Sequence, residues 1–259
     1  MTPVKVRNII IGEGIPKICV PIVGVTSQEI LAQAHSLLDV PVDVVEWRVD
    51  WFEGFSDLPQ VLEVLRNLRG LLCDLPILMT FRTLKEGGEK AISQEDYLKL
   101  NLAAAQSGYV DLIDVELFME DHIVSRIIQQ AHNCGVKVIA SNHDFQKTPP
   151  KKEILSRLCK MQSLGADISK IAVMPRDRKD VLTLLSATEE MAQKYATGPI
   201  ITMSMSGMGV ISRLSGEIFG SALTFGAVQK TSAPGQIPVA DLRSSLELLH
   251  QNLSLPSSN

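Results

Sequence analysis

At 259 residues, 45% of them hydrophobic and 21% charged, the chain has enough apolar material for one large domain or two small ones. A net charge of −4 and a pI near 5.8 argue against binding to nucleic acid or an anionic membrane. No apolar run approaches the ~20 residues that span a bilayer, and the first residues, Met1 to Arg7, lack the apolar stretch of a signal peptide. Cys19, Cys73, Cys134 and Cys159 show no C-x-x-C spacing. They predict reduced, mostly buried thiols in a cytoplasmic protein, with neither a zinc site nor a disulfide framework.

Residues 4–11, closed by Gly12-Glu13-Gly14, read as a short leading strand or hairpin arm. A regular alternation follows. A strand over 17–23 leads to a helix over 27–38, with Ser27 as N-cap and Ile30, Leu31, Ala34 and Leu38 at helical spacing. Strand 42–49 precedes helix 58–68, and strand 77–81 precedes a glycine-bearing loop and helix 93–107. Strand 112–116 precedes helix 122–133, ended by Gly135, and strand 137–141 precedes helix 152–164, ended by Gly165. The β-branched run 167–175 is a buried strand carrying Lys170, followed by a long helix over 179–196. Strand 200–204 with helix 211–219, and strand 223–228 with helix 239–252, complete the series.

Eight β-then-α units without a linker predict a single-domain α/β protein, a (β/α)8 TIM barrel with a short N-terminal strand or hairpin, over residues 1–252. Residues 253–259 read as a disordered tail. An open doubly wound sheet is disfavoured, because no glycine-rich dinucleotide fingerprint follows the first strand.

In such a barrel the chemistry lies at the carboxyl ends of the strands. Those ends carry Glu46, Arg48 and Asp50; Arg82, with Glu86 beyond it; Asp114 and Glu116; His143; Lys170; Arg213; and the loop Ser232-Ala233-Pro234-Gly235-Gln236. Period two puts Glu46 and Arg48 on one face and Val45, Trp47 and Val49 on the other. Structural readings exist for several: Glu46 and Arg48 as an interior ion pair, and Asp114 and Glu116 as partners for the arginines. Taken together, acids, arginines, a histidine and a lysine on one rim suit a small anionic substrate, since buried charge is costly unless it is paired.

The chemistry assigns roles. A desolvated lysine becomes an amine nucleophile able to form a Schiff base, which points to Lys170. His143 is suited to proton transfer near neutrality. Arg213, Arg82 or Arg48 can take a carboxylate, and Ser232 and Gln236 lie on a loop that can close over substrate hydroxyls. His35, His122, His132 and His250 fall on helices or their borders and read as surface residues.

These residues also carry a resemblance. Glu46-Trp47-Arg48-Val49-Asp50, Thr80-Phe81-Arg82, Glu86-Gly87-Gly88, Ser141-Asn142-His143-Asp144-Phe145, Lys170-Ile171-Ala172, Met203-Ser204-Met205, Ser212-Arg213 and Ser232-Ala233-Pro234-Gly235-Gln236 occur in the order found in the type I 3-dehydroquinate dehydratases. The chain resembles that family from about residue 4 to 251. The resemblance implies a barrel enzyme, a homodimer, in the cytoplasmic shikimate route to aromatic amino acids. It implies dehydration of 3-dehydroquinate to 3-dehydroshikimate with no metal or organic cofactor, and no nucleic-acid or membrane partner. Lys170 matches the Schiff-base lysine and His143 the general acid/base. Glu46, Trp47, Arg48, Arg82, Arg213, Ser232 and Gln236 match the substrate site, with Arg213 on the carboxylate and Glu86 near it. Pro21 departs from the pattern, standing where relatives have a serine, so a hydroxyl contact from that position is lost. Two other readings share the residues: a Schiff-base aldolase on the same barrel, and an inactive carboxylate-binding barrel.

Overall fold

The computed structural model describes residues 1–228 and 234–253. Two short strands, β1 (Val4–Val6) and β2 (Ile9–Ile11), pair antiparallel around a turn in which Arg7 takes a left-handed φ of 49°. Eight parallel strands then follow: β3 (Lys17–Ile22), β4 (Val44–Arg48), β5 (Ile77–Thr80), β6 (Leu112–Glu116), β7 (Lys137–Asp144), β8 (Ile168–Val173), β9 (Ile200–Ser204) and β10 (Leu223–Ala227). Each pairs with its predecessor except β10, which pairs with β3. The ring closes between β9 and β10 through a looser seam. There Ala222 donates its N–H to Ile200 O at 2.8 Å, and Thr202 N–H reaches the Ser221 hydroxyl at 3.0 Å. A short β11 (Ile237–Pro238) adds to the carboxyl end of β10.

The helices lie outside the ring: α1 (Ser27–His35), α2 (Leu58–Leu72), α3 (Gln94–Gln106), α4 (Asp121–Asn133), α5 (Lys151–Ser163), α6 (Arg178–Glu190), α7 (Val210–Leu214), α8 (Gly216–Phe219) and α9 (Val239–Leu253). α4 shows why they pack there: Ile123, Val124, Ile127, Ile128 and Ala131 recur at helical spacing and are all buried. Capping decides where several helices begin. Asp57, Ser93 and Asp177 each accept a first-turn N–H, and at α1 the cap is Thr26, one residue before the expected Ser27.

Other boundaries also move. α2 continues to Leu72 because Leu68 and Leu72 are both buried, and this outweighs the helix cost of Gly70. The expected helix 211–219 is two pieces: the Ser215 hydroxyl takes the Ile211 carbonyl, and a Cβ at Gly216 would meet Ser221 O at 2.6 Å. The long helix 179–196 narrows to α6, then winds more widely over Met191–Tyr195. Leu253 belongs to α9, and the rest of the expected tail lies outside the described residues. The cysteines are free thiols, but only Cys19 is buried. Cys73 and Cys134 stand exposed just past the ends of α2 and α4, so the expectation of mostly buried thiols is corrected.

Inside the ring, each strand contributes one apolar residue to a lower tier: Cys19, Val44, Leu78, Leu112, Ile139, Ile168, Ile201 and Leu223. Val4, Val6 and Ile11 of the hairpin join this cluster and close the amino end of the barrel. Two residues further along, the inward positions become Pro21, Glu46, Thr80, Asp114, Ser141, Lys170, Met203 and Phe225. The period-two pleat therefore stacks a polar tier on the apolar floor. The amino rim is stapled differently. Asp43, Asp111 and Asp167, each just before an even-numbered strand, accept the N–H of Ile18, Ile77 and Val138 on the preceding strand at 2.7, 2.8 and 2.9 Å. Each is also held by basic side chains: Arg243 on Asp43, Arg7 and Arg69 on Asp111, Lys137 and His132 on Asp167.

Candidate active site

Lys170 lies mid-strand in β8 with its side chain pointing into the barrel, and only 3% of it is exposed. Its Nζ is 3.4 Å from Asp114 Oδ2, 3.9 Å from Glu46 Oε1 and 4.4 Å from the Phe225 ring centroid. Glu46 also accepts the Thr80 hydroxyl at 2.8 Å. The amine thus sits on an apolar floor, with carboxylates on the β4–β6 side and an aromatic face toward β10. Its stem is buried along its length, unlike that of a surface lysine, and its amine faces the cavity.

The arginines divide sharply. Arg82 is locked: it donates to Asp114 Oδ1 at 2.8 Å, Glu116 Oε1 at 2.9 Å and Ser141 Oγ at 3.0 Å. Burial opposes its charge, but Asp114, Glu116 and Glu86 outweigh that and hold the guanidinium protonated. Burial likewise pushes Asp114 up, while Arg82, Lys170 and the Ser141 hydroxyl pull it net below its usual value. Asp114 and Glu116 are therefore partners of Arg82. Arg48 pairs bidentately with Asp50 at 2.8 and 2.7 Å, and not with Glu46.

Arg213, 1% exposed, is different. Its contacts are the Pro234 carbonyl at 3.1 Å, the Phe225 carbonyl at 3.5 Å and Met203 Sδ at 3.7 Å, and its Nε has no partner. Among the described residues no carboxylate lies within ion-pair distance, and burial lowers its pKa to about 10. The group is a cation at neutral pH, desolvated beside the β9–β10 seam. That arrangement favours an incoming anion.

His143 is on β7, paired across to Ala172, two residues above the level of Lys170. Its Nδ1 lies 3.0 Å from Glu86 Oε2, which also accepts the His143 backbone N–H at 2.9 Å. Glu86 Oε1 accepts Asn142 Nδ2 at 3.1 Å. Burial and then Glu116 raise Glu86 to about 8, while burial, Arg82, Lys170 and Arg48 push His143 well below its usual value. Hydrogen-bonded at 3.0 Å, the two groups are placed to pass a proton between them. With one proton between them, Nδ1–H faces the carboxylate and Nε2 offers its lone pair as a base.

A cleft of about 500 Å³, open solvent at its mouth included, brings together Glu46, Arg48, Arg82, His143, Lys170, Arg213 and Gln236. Trp47 is a correction: its indole packs outside the ring in the core under the helices, 6.0 Å from the Phe52 ring, and is no part of the cavity. The pleat requires this, since the neighbours Glu46 and Arg48 face inward. Ser232 lies outside the described residues. Pro21 pairs in register with Glu46 and lines a separate small crevice with Gln33 and Val228. Met203, Met205, Phe225 and Phe145 supply the apolar lining; sequence reasoning met Met203, Met205 and Phe145 only inside motifs and passed over Phe225. For the first three, inward alternation along β9 and β10 carries the signal. His35, His122 and His132 are exposed and His250 half-buried, with His132 on Asp167 and His250 on Glu217.

The family model described as type I 3-dehydroquinase matches residues 18–253. A 3-dehydroquinate dehydratase of Clostridioides difficile strain 630 is 59% identical over 251 residues, covering 97% of this chain and 98% of its own. A crystal structure of a type I 3-dehydroquinate dehydratase from Clostridium difficile, with covalently modified comenic acid, superposes with a TM-score of 0.95 at 58% identity, covering 97% of this chain and 99% of that one. The 3-dehydroquinate dehydratase of Enterococcus faecalis gives 0.90 at 48% identity, over 95% and 99% of the two chains. With its ring of eight strands and its site at their carboxyl ends, the chain belongs to the type I 3-dehydroquinase family.

Proposed function

We propose that the enzyme dehydrates 3-dehydroquinate to 3-dehydroshikimate, in the shikimate route to aromatic amino acids, through a Schiff base on Lys170. The observation that carries this reading is the placement of a buried lysine between a tethered histidine and a buried arginine that has no carboxylate partner among the described residues. A β-hydroxy ketone bearing a carboxylate fits those three groups. Lys170 adds to the ketone and, with loss of water, gives an iminium that acidifies the adjacent carbon. His143 Nε2 removes that proton, giving an enamine. The enamine expels the β-hydroxyl, which leaves as water with the proton returned by the imidazolium. Water then hydrolyses the conjugated iminium, releasing product and the amine.

Arg213 takes the carboxylate and stays bound to it through the cycle. Gln236, on the segment after Pro234, borders the same space and suits the substrate hydroxyls, with Ser232 as its expected companion. The chemistry calls on no metal or organic cofactor. No helix among the described residues is long and apolar enough to cross a membrane, and a cytoplasmic homodimer is the working assembly.

Borohydride added with 3-dehydroquinate should inactivate the enzyme and place the adduct on Lys170 by peptide mapping. Lys170→Met should fold, bind substrate and lose roughly 10⁴-fold or more in turnover, followed by the absorbance of the conjugated product. Substrate-dependent trapping together with a C–C cleavage product would favour the aldolase. Binding without turnover in the wild type would favour the inactive barrel.

A further inference from the structure

The contacts that hold Glu86 do not end at the cavity. Asn142, one residue before the histidine, turns its side chain away from the barrel interior and is 1% exposed. Its Nδ2 donates to Glu86 Oε1 at 3.1 Å, while its Oδ1 accepts Arg157 Nη1 at 2.7 Å. Arg157 comes from α5 and is itself held on several sides. Its Nη2 pairs with Glu153 one turn earlier, Asp144 Oδ2 lies 4.0 Å from Nη1, and the Phe118 ring lies 5.2 Å from the guanidinium carbon. A continuous chain of hydrogen bonds therefore runs from an outer helix, over the rim of the barrel, to the imidazole.

We propose that Asn142 and Arg157 are positioning residues for the reaction, acting through Glu86 on the His143 ring; this rests on the roles of Glu86 and His143 given above. The logic is that of donors and acceptors. An amide can turn either way, but a guanidinium only donates, so Arg157 compels the Asn142 oxygen to face it. The amide N–H2 is then committed to Glu86. With that bond and the His143 backbone N–H in place, both carboxylate oxygens are fixed as acceptors, and Nδ1–H is the fitting partner. Without Arg157 the amide can present its oxygen to Glu86 Oε1. Two acceptors then face each other, a conflict that a proton on Glu86 relieves. A proton retained there leaves the pair in its two-proton state, in which Nε2 is no longer a base.

Several charges act on this pair. Arg82 Nη1 lies 3.7 Å from Glu86 Oε2, Glu116 raises Glu86 through its charge, and Arg48, Arg82 and Lys170 disfavour the imidazolium. Asn142 is the one neutral member, and Arg157 sets which way it points. Removing the donor raises the proton affinity of the pair, so the base-competent fraction at pH 7 falls and recovers at higher pH.

The test uses the full-length enzyme, assayed with 3-dehydroquinate across pH. Arg157→Met removes the donor and keeps the stem. Asn142→Asp keeps the Arg157 contact but loses the N–H2, and Arg157→Lys is the conservative control. Arg157→Met and Asn142→Asp should each lower kcat about three- to tenfold at pH 7, with KM within about threefold of wild type. Their kcat/KM inflection should move up by about half to one pH unit, so that the deficit shrinks by pH 9. Arg157→Lys should restore most of the rate. Glu86→Gln combined with Arg157→Met should be no slower than Glu86→Gln alone. Full additivity in that pair, or an unmoved inflection in both Arg157→Met and Asn142→Asp when Glu86→Gln shifts it, overturns the relay. A wild-type pH profile in Glu86→Gln itself overturns the underlying reading, and the relay with it.

Discussion

Asp111 and Asp114 stand three residues apart on one segment, at opposite ends of the barrel. At the amino rim Asp111 accepts a backbone N–H and two arginines that reach water, and Asp43 and Asp167 likewise accept a backbone N–H and basic side chains, Arg243 on the one and Lys137 and His132 on the other. At the carboxyl rim Asp114 is fully buried and binds Arg82, Ser141 and Lys170. Both ends use carboxylate–cation pairs. Only the carboxyl end desolvates them, and there, among the described residues, the buried Arg213 is left without a carboxylate. Pairs at the amino end are wet enough to be replaced at modest cost, whereas those at the carboxyl end are strongly coupled, since removing one partner strands the other in low dielectric.

That contrast is broken most severely at Asp114. Asp114→Ala leaves Arg82 and Lys170 short of a buried counter-charge, which should cost about 3–5 kcal/mol of stability. It should also lower kcat by roughly 10²-fold, because the Lys170 amine loses a fixed neighbour. Denaturant melts and steady-state kinetics should fall together; a stability loss with normal turnover would separate Asp114 from the reaction.

Arg213 tests the contrast from the other direction. Arg213→Met keeps the stem and removes a buried charge that, among the described residues, has no carboxylate to strand. Affinity for 3-dehydroquinate should fall by about two to four decades, as expected for losing the charged partner of a buried carboxylate. The melting temperature of the free protein should hold or rise. A variant that binds normally would move the carboxylate elsewhere in the cavity.

The alternation of strands and helices was readable as a barrel because strands buried on both sides read as apolar runs, and each apolar run is followed by a helical one. Inward-facing charges followed from period two along β4, β6 and β8. Trp47 shows the limit of reading by motif, for it lies between two cavity residues yet points out of the barrel. The amino-rim staples left a signal that was not used: an aspartate immediately before an apolar pair at Asp43-Val44-Val45 and Asp111-Leu112-Ile113. Other features could not be read along the chain. Glu86 and His143 are 57 residues apart. The lack of a carboxylate at Arg213 is a property of what surrounds it in space.

A smaller effect is expected at Glu86. In the wild type kcat/KM should rise with pH through one inflection, at or below about 8, as the Glu86–His143 pair passes from two protons to one. Glu86→Gln removes the anion that favours the imidazolium, so the inflection should move to lower pH. Neither orientation of the glutamine amide satisfies both Asn142 Nδ2 and the His143 backbone N–H. The maximal rate should therefore drop about 10- to 100-fold as the ring loses its tether. An inflection that stays put would show that the pair does not titrate jointly.

The mildest change belongs to the amino rim. Burial pushes the Asp167 carboxyl up, but the Val138 N–H, Lys137 and His132 outweigh it and hold its pKa below the usual value. A carboxylate with a depressed folded pKa adds stability that is present above the unfolded value, near 3.9, and is lost as pH falls through the folded one. Asp167→Asn keeps an acceptor for Val138 but gives up the charge toward Lys137 and His132. At pH 7 it should cost about 1 kcal/mol, or roughly 2–4 °C in Tm for a chain of this size. The gap to wild type should close as the pH is taken below 4, where the wild-type carboxyl also becomes neutral. Because this rim touches no part of the cavity, kcat and KM should stay at wild-type values. A kinetic defect in Asp167→Asn would mean that the two ends of the barrel are coupled through β8, which carries Ile168 at the floor and Lys170 in the tier above it.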